Sequence, residues 1–367
     1  LEMEPLVLGW YILVETGSVL LLTMFGALLF LGTLLSPMLG VVADRIGQRR
    51  LICILRTCYV ALSSAVVLVI LTGNLTSELV LAIAFLSGLV RPSEQGIRSS
   101  LMASLVPAGL LLTATSLTRT TVDSARIVGA LVGSGLFAIV GIATTYLVIV
   151  ALFCLGLAFT LAILVPIDES GDTHSPPVSS RFSPWKELRE GLQYVWKTPH
   201  LQAAMWIAVL VNFTAFPLSI GLLPYVAREI FGTDQTGLGY LMASFAIGSL
   251  VGSIILGMVG HKVRPARAMI FFAIAWHVFL AMFVWVDQLF LGMILLGLAG
   301  LAHNLSLVPL VGMLMRTSDP AFWGRVMGVR MLAIYTLPIS LMVAGWLIDS
   351  INFHRTMSLY MVIGIVL

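Results

Sequence analysis

Apolar runs recur from one end of this 367-residue chain to the other. A run of about 20 such residues crosses the hydrocarbon layer of a bilayer as a helix. Lipid offers backbone N–H and C=O groups no partner, so a spanning segment is a helix or part of a closed barrel. The runs are continuous and do not alternate with period two, which favours helices. Composition agrees. Hydrophobic residues make up 59% of the chain and charged residues 10%, against about a quarter charged in a soluble domain. Mean hydropathy is +1.05. So little polar surface cannot coat a globule in water. The net charge of +3 is too small to point to nucleic acid.

The pattern predicts spans to about residue 14, then at 19–40, 51–72, 79–103, 111–138 and 143–165. A second set is expected at 202–227, 237–259, 267–286, 289–314, 326–348 and from 356 onward. The chain starts at Leu1 and stops at Leu367 inside apolar sequence, so the first and last spans are expected to be cut short. The expected organisation is a six-helix half at 1–165, a linker at 166–200 and a six-helix half at 201–367. In the linker, "DESGDTHSPPVSS" reads as flexible. "SPWKELREGLQYVWKTP" follows, with Ser183 as a helix cap and Pro184 in the first turn. Trp185, Leu188, Leu192 and Val195 fall near helical spacing, which fits a helix on the membrane surface or a soluble linker helix. Cys53, Cys58 and Cys154 lie in apolar runs and are expected to be buried packing residues.

Basic residues orient the chain. With the loop after the second span in the cytoplasm, that side holds Arg45, Arg49, Arg50, Arg181, Lys186, Arg189, Lys197, Lys262, Arg264, Arg267, Arg316 and Arg325. The other holds Arg228 and Arg355. Positive charge collects on the cytoplasmic side of membrane proteins. The linker is therefore expected in the cytoplasm. A repeat supports two halves: "GVVADRIGQRRLI" from Gly40 lines up with "GMVGHKVRPARAMI" from Gly257, and parallel repeats are a known transporter plan.

"GVVADRIGQRR" also resembles the signature turn between the second and third helices of the major facilitator superfamily. The match falls on Gly40, Asp44, Arg45, Gly47, Arg49 and Arg50, with Gln48 at one basic position. Four further segments, at 114–135, 190–202, 216–232 and 319–329, resemble the superfamily's transmembrane secretion effectors, which are bacterial exporters. The resemblance implies an all-α integral membrane protein of the bacterial inner membrane. Its plan is a twelve-helix bundle of two pseudo-symmetric halves, working as a monomer with membrane lipid around it. It also implies that Asp44 sits at the amino end of the eleventh helix, near Gly324–Val326, and pairs with Arg98. Asp44 would then latch the cytoplasmic side shut; a basic turn needed only for topology is the plainer alternative. "GALVGS" at 129–134 resembles an antiporter signature, with Ala130 for proline and Ser134 for a glycine. Ala125, Gly129 and Gly133 recur every four residues, which by itself fits close helix packing.

Ionisable residues inside a membrane are costly and usually functional. The fourth span carries Arg91, Glu94 and Arg98; the fifth carries Arg119, Asp123 and Arg126. The spacing of three or four places each set on one helical face. Counting from the turn near Pro107–Gly109 puts Arg98 level with Arg119, Glu94 with Asp123, and Arg91 with Arg126. Four arginines against two carboxylates leave a surplus near +2, which suits an anionic substrate or calls for a further counter-charge. Glu94 and Asp123 are the proton-carrier candidates. In the second half, Asn212, His303 and Asn304 are candidate cavity groups, with helix-packing hydrogen bonds as the alternative. His277 is read as structural. Pro217 and Pro224 are expected to kink the seventh span.

No Gly-x-x-x-x-Gly-Lys-Ser/Thr loop and no His-Glu-x-x-His occurs, which argues against nucleotide hydrolysis and zinc proteolysis. No cofactor or metal is expected, and no enzyme activity. The expected function is export of a small organic compound, drug-like or siderophore-like, in exchange for protons. Proton-coupled uptake and a non-transporting receptor of the same fold are the alternatives.

Overall fold

A computed structural model describes residues 2–32, 46–105, 111–162, 184–259, 264–319 and 322–367. The side chains of Arg49, Glu94, Arg98 and Arg119 lie outside the described residues. So do Gly40, Asp44 and Arg45 of the signature turn. Among the described residues every regular element is helical.

The first elements are α1 (Met3–Thr16), α2 (Val19–Leu28), α3 (Gln48–Leu71), α4 (Ser77–Leu105) and α5 (Leu111–Leu161). The Ser18 side chain caps α2 by accepting from the Leu21 N–H at 3.3 Å, satisfying an orphan donor of the first turn. α3 starts behind Gly47, whose φ of 90° is readily adopted only by glycine. α5 comprises the fifth and sixth runs, two helices that part at Gly141 (φ 75°, ψ 178°), between the spans expected at 111–138 and 143–165. Then come α6 (Pro184–Lys197), α7 (Pro199–Thr214), α8 (Gln235–Val259), α9 (Pro265–Val284) and α10 (Leu289–Thr317). The last are α11 (Trp323–Ile334), α12 (Thr336–Ile351) and α13 (Phe353–Val366). The expected proline effect on the seventh span is present: α7 stops at Thr214 and passes into π turns at Pro217–Gly221 and Val226–Ile230. A proline lacks the N–H that would continue the helix.

Seven of these stretches are long and apolar enough to cross a membrane. Their large apolar side chains point outward as well as inward. Ile139 is 83% exposed and Phe290 74%, which fits a hydrocarbon surround and would drive aggregation in water. α1 is enclosed, with Leu6, Val7, Leu8, Ile12 and Leu13 all buried. It packs against α2, α4, α5 and the turn at Leu223–Tyr225. α2 also packs on α12, and α5 on α8. α10 is held between α8 and α9.

One expectation is corrected. The cysteines are not buried: Cys154 is exposed, Cys53 and Cys58 are half-buried, and all three are free thiols. A thiol is apolar enough to face lipid, so an apolar run does not by itself place it inside. The eleventh span, expected at 326–348, is present as Arg325–Ile351 with a local interruption at Tyr335.

Candidate functional site

Small residues on α5 let α1 approach it. A Cβ on Gly129 would lie 3.1 Å from Glu2, and one on Gly133 3.0 Å from Met3. That approach sets the Glu2 carboxylate between two arginines. Arg91 on α4 reaches Glu2 Oε1 at 3.5 Å, and Arg126 on α5 reaches Oε2 at 3.6 Å. The level pairing of Arg91 with Arg126, counted from the sequence, is therefore met in space by one shared partner. Arg126 also lies 4.0 Å from Asp123 Oδ1, one turn away on the same helix.

Asp123 is 1% exposed, and its contacts leave the first group of helices. Ser253 on α8 donates to Asp123 Oδ2 at 3.3 Å. Asn304 on α10 donates to Ser253 Oγ at 2.8 Å and to the Ser249 carbonyl at 2.9 Å. One polar chain thus runs Glu2, Arg126, Asp123, Ser253, Asn304 through α1, α5, α8 and α10. Such bonds in a membrane are worth about 0.6 kcal/mol each, rising to about 1.7. Their value here is in positioning.

Glu2 is a counter-charge of the kind the count along the sequence called for. Among the described side chains, Arg91 and Arg126 face Glu2 and Asp123, two charges against two. Counting α4 and α5 alone omitted the carboxylates that α1 contributes. "LEMEPLV", with two glutamates ahead of an apolar run, was the signal. Glu4 is buried beside this cluster. Another intramembrane arginine, Arg56, donates to the Gly156 carbonyl at 2.6 Å and to the Thr160 hydroxyl.

The other candidates are local. Asn212 donates to the Ala208 carbonyl of its own helix at 2.8 Å. His303 is buried among Phe216, Phe245 and Trp276, with ring centroids 5.4, 5.3 and 4.8 Å away. His277 shares a 2.7 Å hydrogen bond with Thr214. Among the described residues no three His, Cys, Asp or Glu side chains gather as a metal site.

At the other end of the molecule, α6 joins the turn before α11. Arg325 pairs with Glu190 at 3.4 Å. Tyr194 stacks on Phe322 at 4.4 Å, and its hydroxyl accepts from the Asp319 N–H at 3.1 Å. Val195 faces inward while Leu192 and Trp196 face out. The segments 190–202 and 319–329, singled out separately in the sequence, are thus one contact.

A family model described as transmembrane secretion effector matches residues 12–355. The chain is 26% identical over 359 residues to the multidrug efflux pump Tap of Mycolicibacterium fortuitum, covering 95% of this chain and 85% of that one. It is 25% identical over 312 residues to the enterobactin exporter EntS of Escherichia coli O1:K1 / APEC, covering 84% and 70%. Among solved structures, the nucleoside transporter NupG superposes with a TM-score of 0.72 at 14% identity, covering 100% of this chain and 95% of that one. That likeness is one of fold.

Proposed function

Because this chain belongs to the transmembrane secretion effector family of the major facilitator superfamily, we propose that it exports a small organic compound from the cytoplasm in exchange for protons. It is a multi-pass membrane transporter by family. The proposed plan is two six-helix halves, 1–165 and 201–367, rocking about a central site. The linker at 166–200 is placed on the cytoplasmic side of a bacterial inner membrane, and the monomer is the proposed working unit.

The observation that carries this reading is the polar chain through Asp123. A buried carboxylate in mid-membrane is costly, and this one ties α5 to α8 and α10, elements on either side of the linker. Groups that must part during alternating access are well placed to sense a proton or a substrate. Asp123 and Arg126, with Arg91, Glu94 and Arg119, form the proposed coupling cluster. Asn212, His303 and Asn304 stand on the helices proposed to line the cavity.

For the substrate, Glu2 as the counter-charge to Arg91 and Arg126 weakens the argument for an anion. An amphipathic drug-like compound is the leading reading, in line with the similarity to Tap. A siderophore-like compound is the second, supported by the similarity to EntS.

The proposed latch at Asp44 has its own test. Asp44→Asn in the full-length protein is expected to leave membrane insertion unchanged and to lower export by about tenfold, the factor that 1.4 kcal/mol represents. Export assays in cells, beside quantified membrane protein, give the answer. Wild-type flux in that variant would reduce the turn to a topological anchor.

A further inference from the structure

One face of α6 is left bare at the membrane surface. The helix ends at Lys197, and Thr198 alone separates it from α7, whose first residue, Pro199, opens a membrane span. The Thr198 hydroxyl donates to the Tyr194 carbonyl at 3.0 Å, which fixes the corner. Chain geometry therefore keeps the end of α6 at the mouth of that span, at the level of lipid headgroups.

The inner face of α6 is committed to protein. Val195 is buried in a cluster with Leu201, Val326 and Val329. A Cβ on Gly191 would lie 3.0 Å from the Arg325 carbonyl, and Glu190 turns the same way, to Arg325. That leaves Arg189, Leu192, Gln193, Trp196 and Lys197 exposed, one stripe at spacings of three and four. Trp196 is 68% exposed. Among the described side chains the stripe holds no carboxylate. Leu192, Gln193, Trp196 and Lys197 line a shallow cleft of about 390 Å³.

This lining mixes two chemistries. Leu192 and Trp196 make an apolar edge, and an indole is at home where hydrocarbon meets headgroup. Trp323, the first residue of α11, is exposed as well, so the joined α6 and α11 ends carry two such markers. Lys197 brings an ammonium to the same cleft, a point charge suited to phosphate. Arg189, two turns away, adds a second positive charge.

From this arrangement we propose that the outer stripe of α6 binds the headgroup of an anionic phospholipid of the cytoplasmic leaflet. The phosphate meets Lys197, and the upper acyl chains lie against Trp196 and Leu192. Arg189 adds attraction for the anionic surface, which is worth about fivefold in affinity per basic residue. The leaflet rests on the cytoplasmic placement of the linker; the headgroup site does not. Because α6 is fixed to the start of α11, a lipid held there is also a ligand of that end of α11. It favours whichever arrangement of the pair seats the stripe on the membrane.

The test uses the full-length protein in phosphatidylcholine vesicles. Bromine on an acyl chain quenches a tryptophan that touches it. The chain has eight tryptophans, so the difference between wild type and Trp196→Phe isolates Trp196. Brominated phosphatidylglycerol should quench that share at a lower mole fraction than brominated phosphatidylcholine does. The double variant Arg189→Gln/Lys197→Gln alters exposed side chains alone and should elute as wild type. Its midpoint for phosphatidylglycerol should rise by about fivefold or more, with that for phosphatidylcholine unchanged. A Trp196 share quenched by neither lipid, or equally by both, would overturn the proposal. So would a phosphatidylglycerol preference that survives in the double variant, or one that soluble glycerol phosphate abolishes. Quenching needs no transport, so a failed export assay leaves this result standing. Labelling of Gln193→Cys in intact cells by a membrane-impermeant maleimide would overturn the choice of leaflet and leave the headgroup site in place.

Discussion

Asp123→Asn is expected to lower gradient-driven transport by at least about tenfold while the protein stays folded. Asparagine keeps the shape of aspartate, and its amide oxygen can still accept from Ser253, now 3.3 Å away. What disappears is one negative charge. Arg91 and Arg126 are left to share Glu2 alone among the described carboxylates. An unmatched charge at the bilayer centre costs about 2.5–3.5 kcal/mol on an insertion scale. If half of that cost falls on one conformation and not the other, the population shift is about tenfold. Ser253→Ala is the matched control. It removes a hydrogen bond worth about 0.6 kcal/mol and keeps the charge, so transport should fall less than about threefold. Size-exclusion profiles and vesicle flux for the two variants separate charge from hydrogen bonding. Equal and small losses in both would make Asp123 a packing residue.

Gly300→Leu is expected to prevent folding. α8 and α10 cross with their backbones in contact. A Cβ on Gly300 would strike the Phe245 carbonyl, and one on Gly248 the Gly297 carbonyl. A Cβ on Gly252 would sit 2.9 Å from the Leu301 carbonyl. Apolar burial does not pull helices together in lipid, so close approach and interhelical hydrogen bonds hold them. A leucine at Gly300 forces the pair apart and takes Asn304 out of reach of Ser249 and Ser253. Overpacking costs about 1–3 kcal/mol where the site can yield; a backbone carbonyl cannot yield, so the cost lies above that range. Detergent-solubilised Gly300→Leu should run as aggregate. Gly257→Leu, on α8 with open space around it, should elute as wild type. A monodisperse Gly300→Leu would mean that this crossing does not hold the fold.

The spans were legible because lipid leaves the backbone one solution per apolar run. The break in the seventh was legible because Pro217 and Pro224 lack a donor. The break at Gly141 was legible too, falling in the gap left between 111–138 and 143–165, whereas the interruption at Tyr335 was not, since the apolar pattern continues through it. Counting helical turns placed Arg91 level with Arg126. It could not supply their partner, because Glu2 lies on a helix far away in sequence. Asn304 was picked out as a polar group in an apolar span, but its serine partners on α8 depend on the glycine crossing, which is a three-dimensional fact. Small residues read as packing signals at Gly129 and Gly133, and the element they admit proved to be α1. The signature turn at Gly40–Arg45 falls outside the described residues, so its latch remains a proposal from resemblance.

The most direct test of proton-driven export is efflux from proteoliposomes of the full-length protein. They would be loaded with a cationic dye or an anionic catecholate, with the outside made more acidic than the inside. The account predicts that dye efflux accelerates with the gradient and returns to its basal rate when a protonophore collapses it. Faster efflux of the catecholate alone would keep the coupling and move the substrate to the siderophore class. Efflux of both compounds at a rate indifferent to gradient and protonophore would contradict the account.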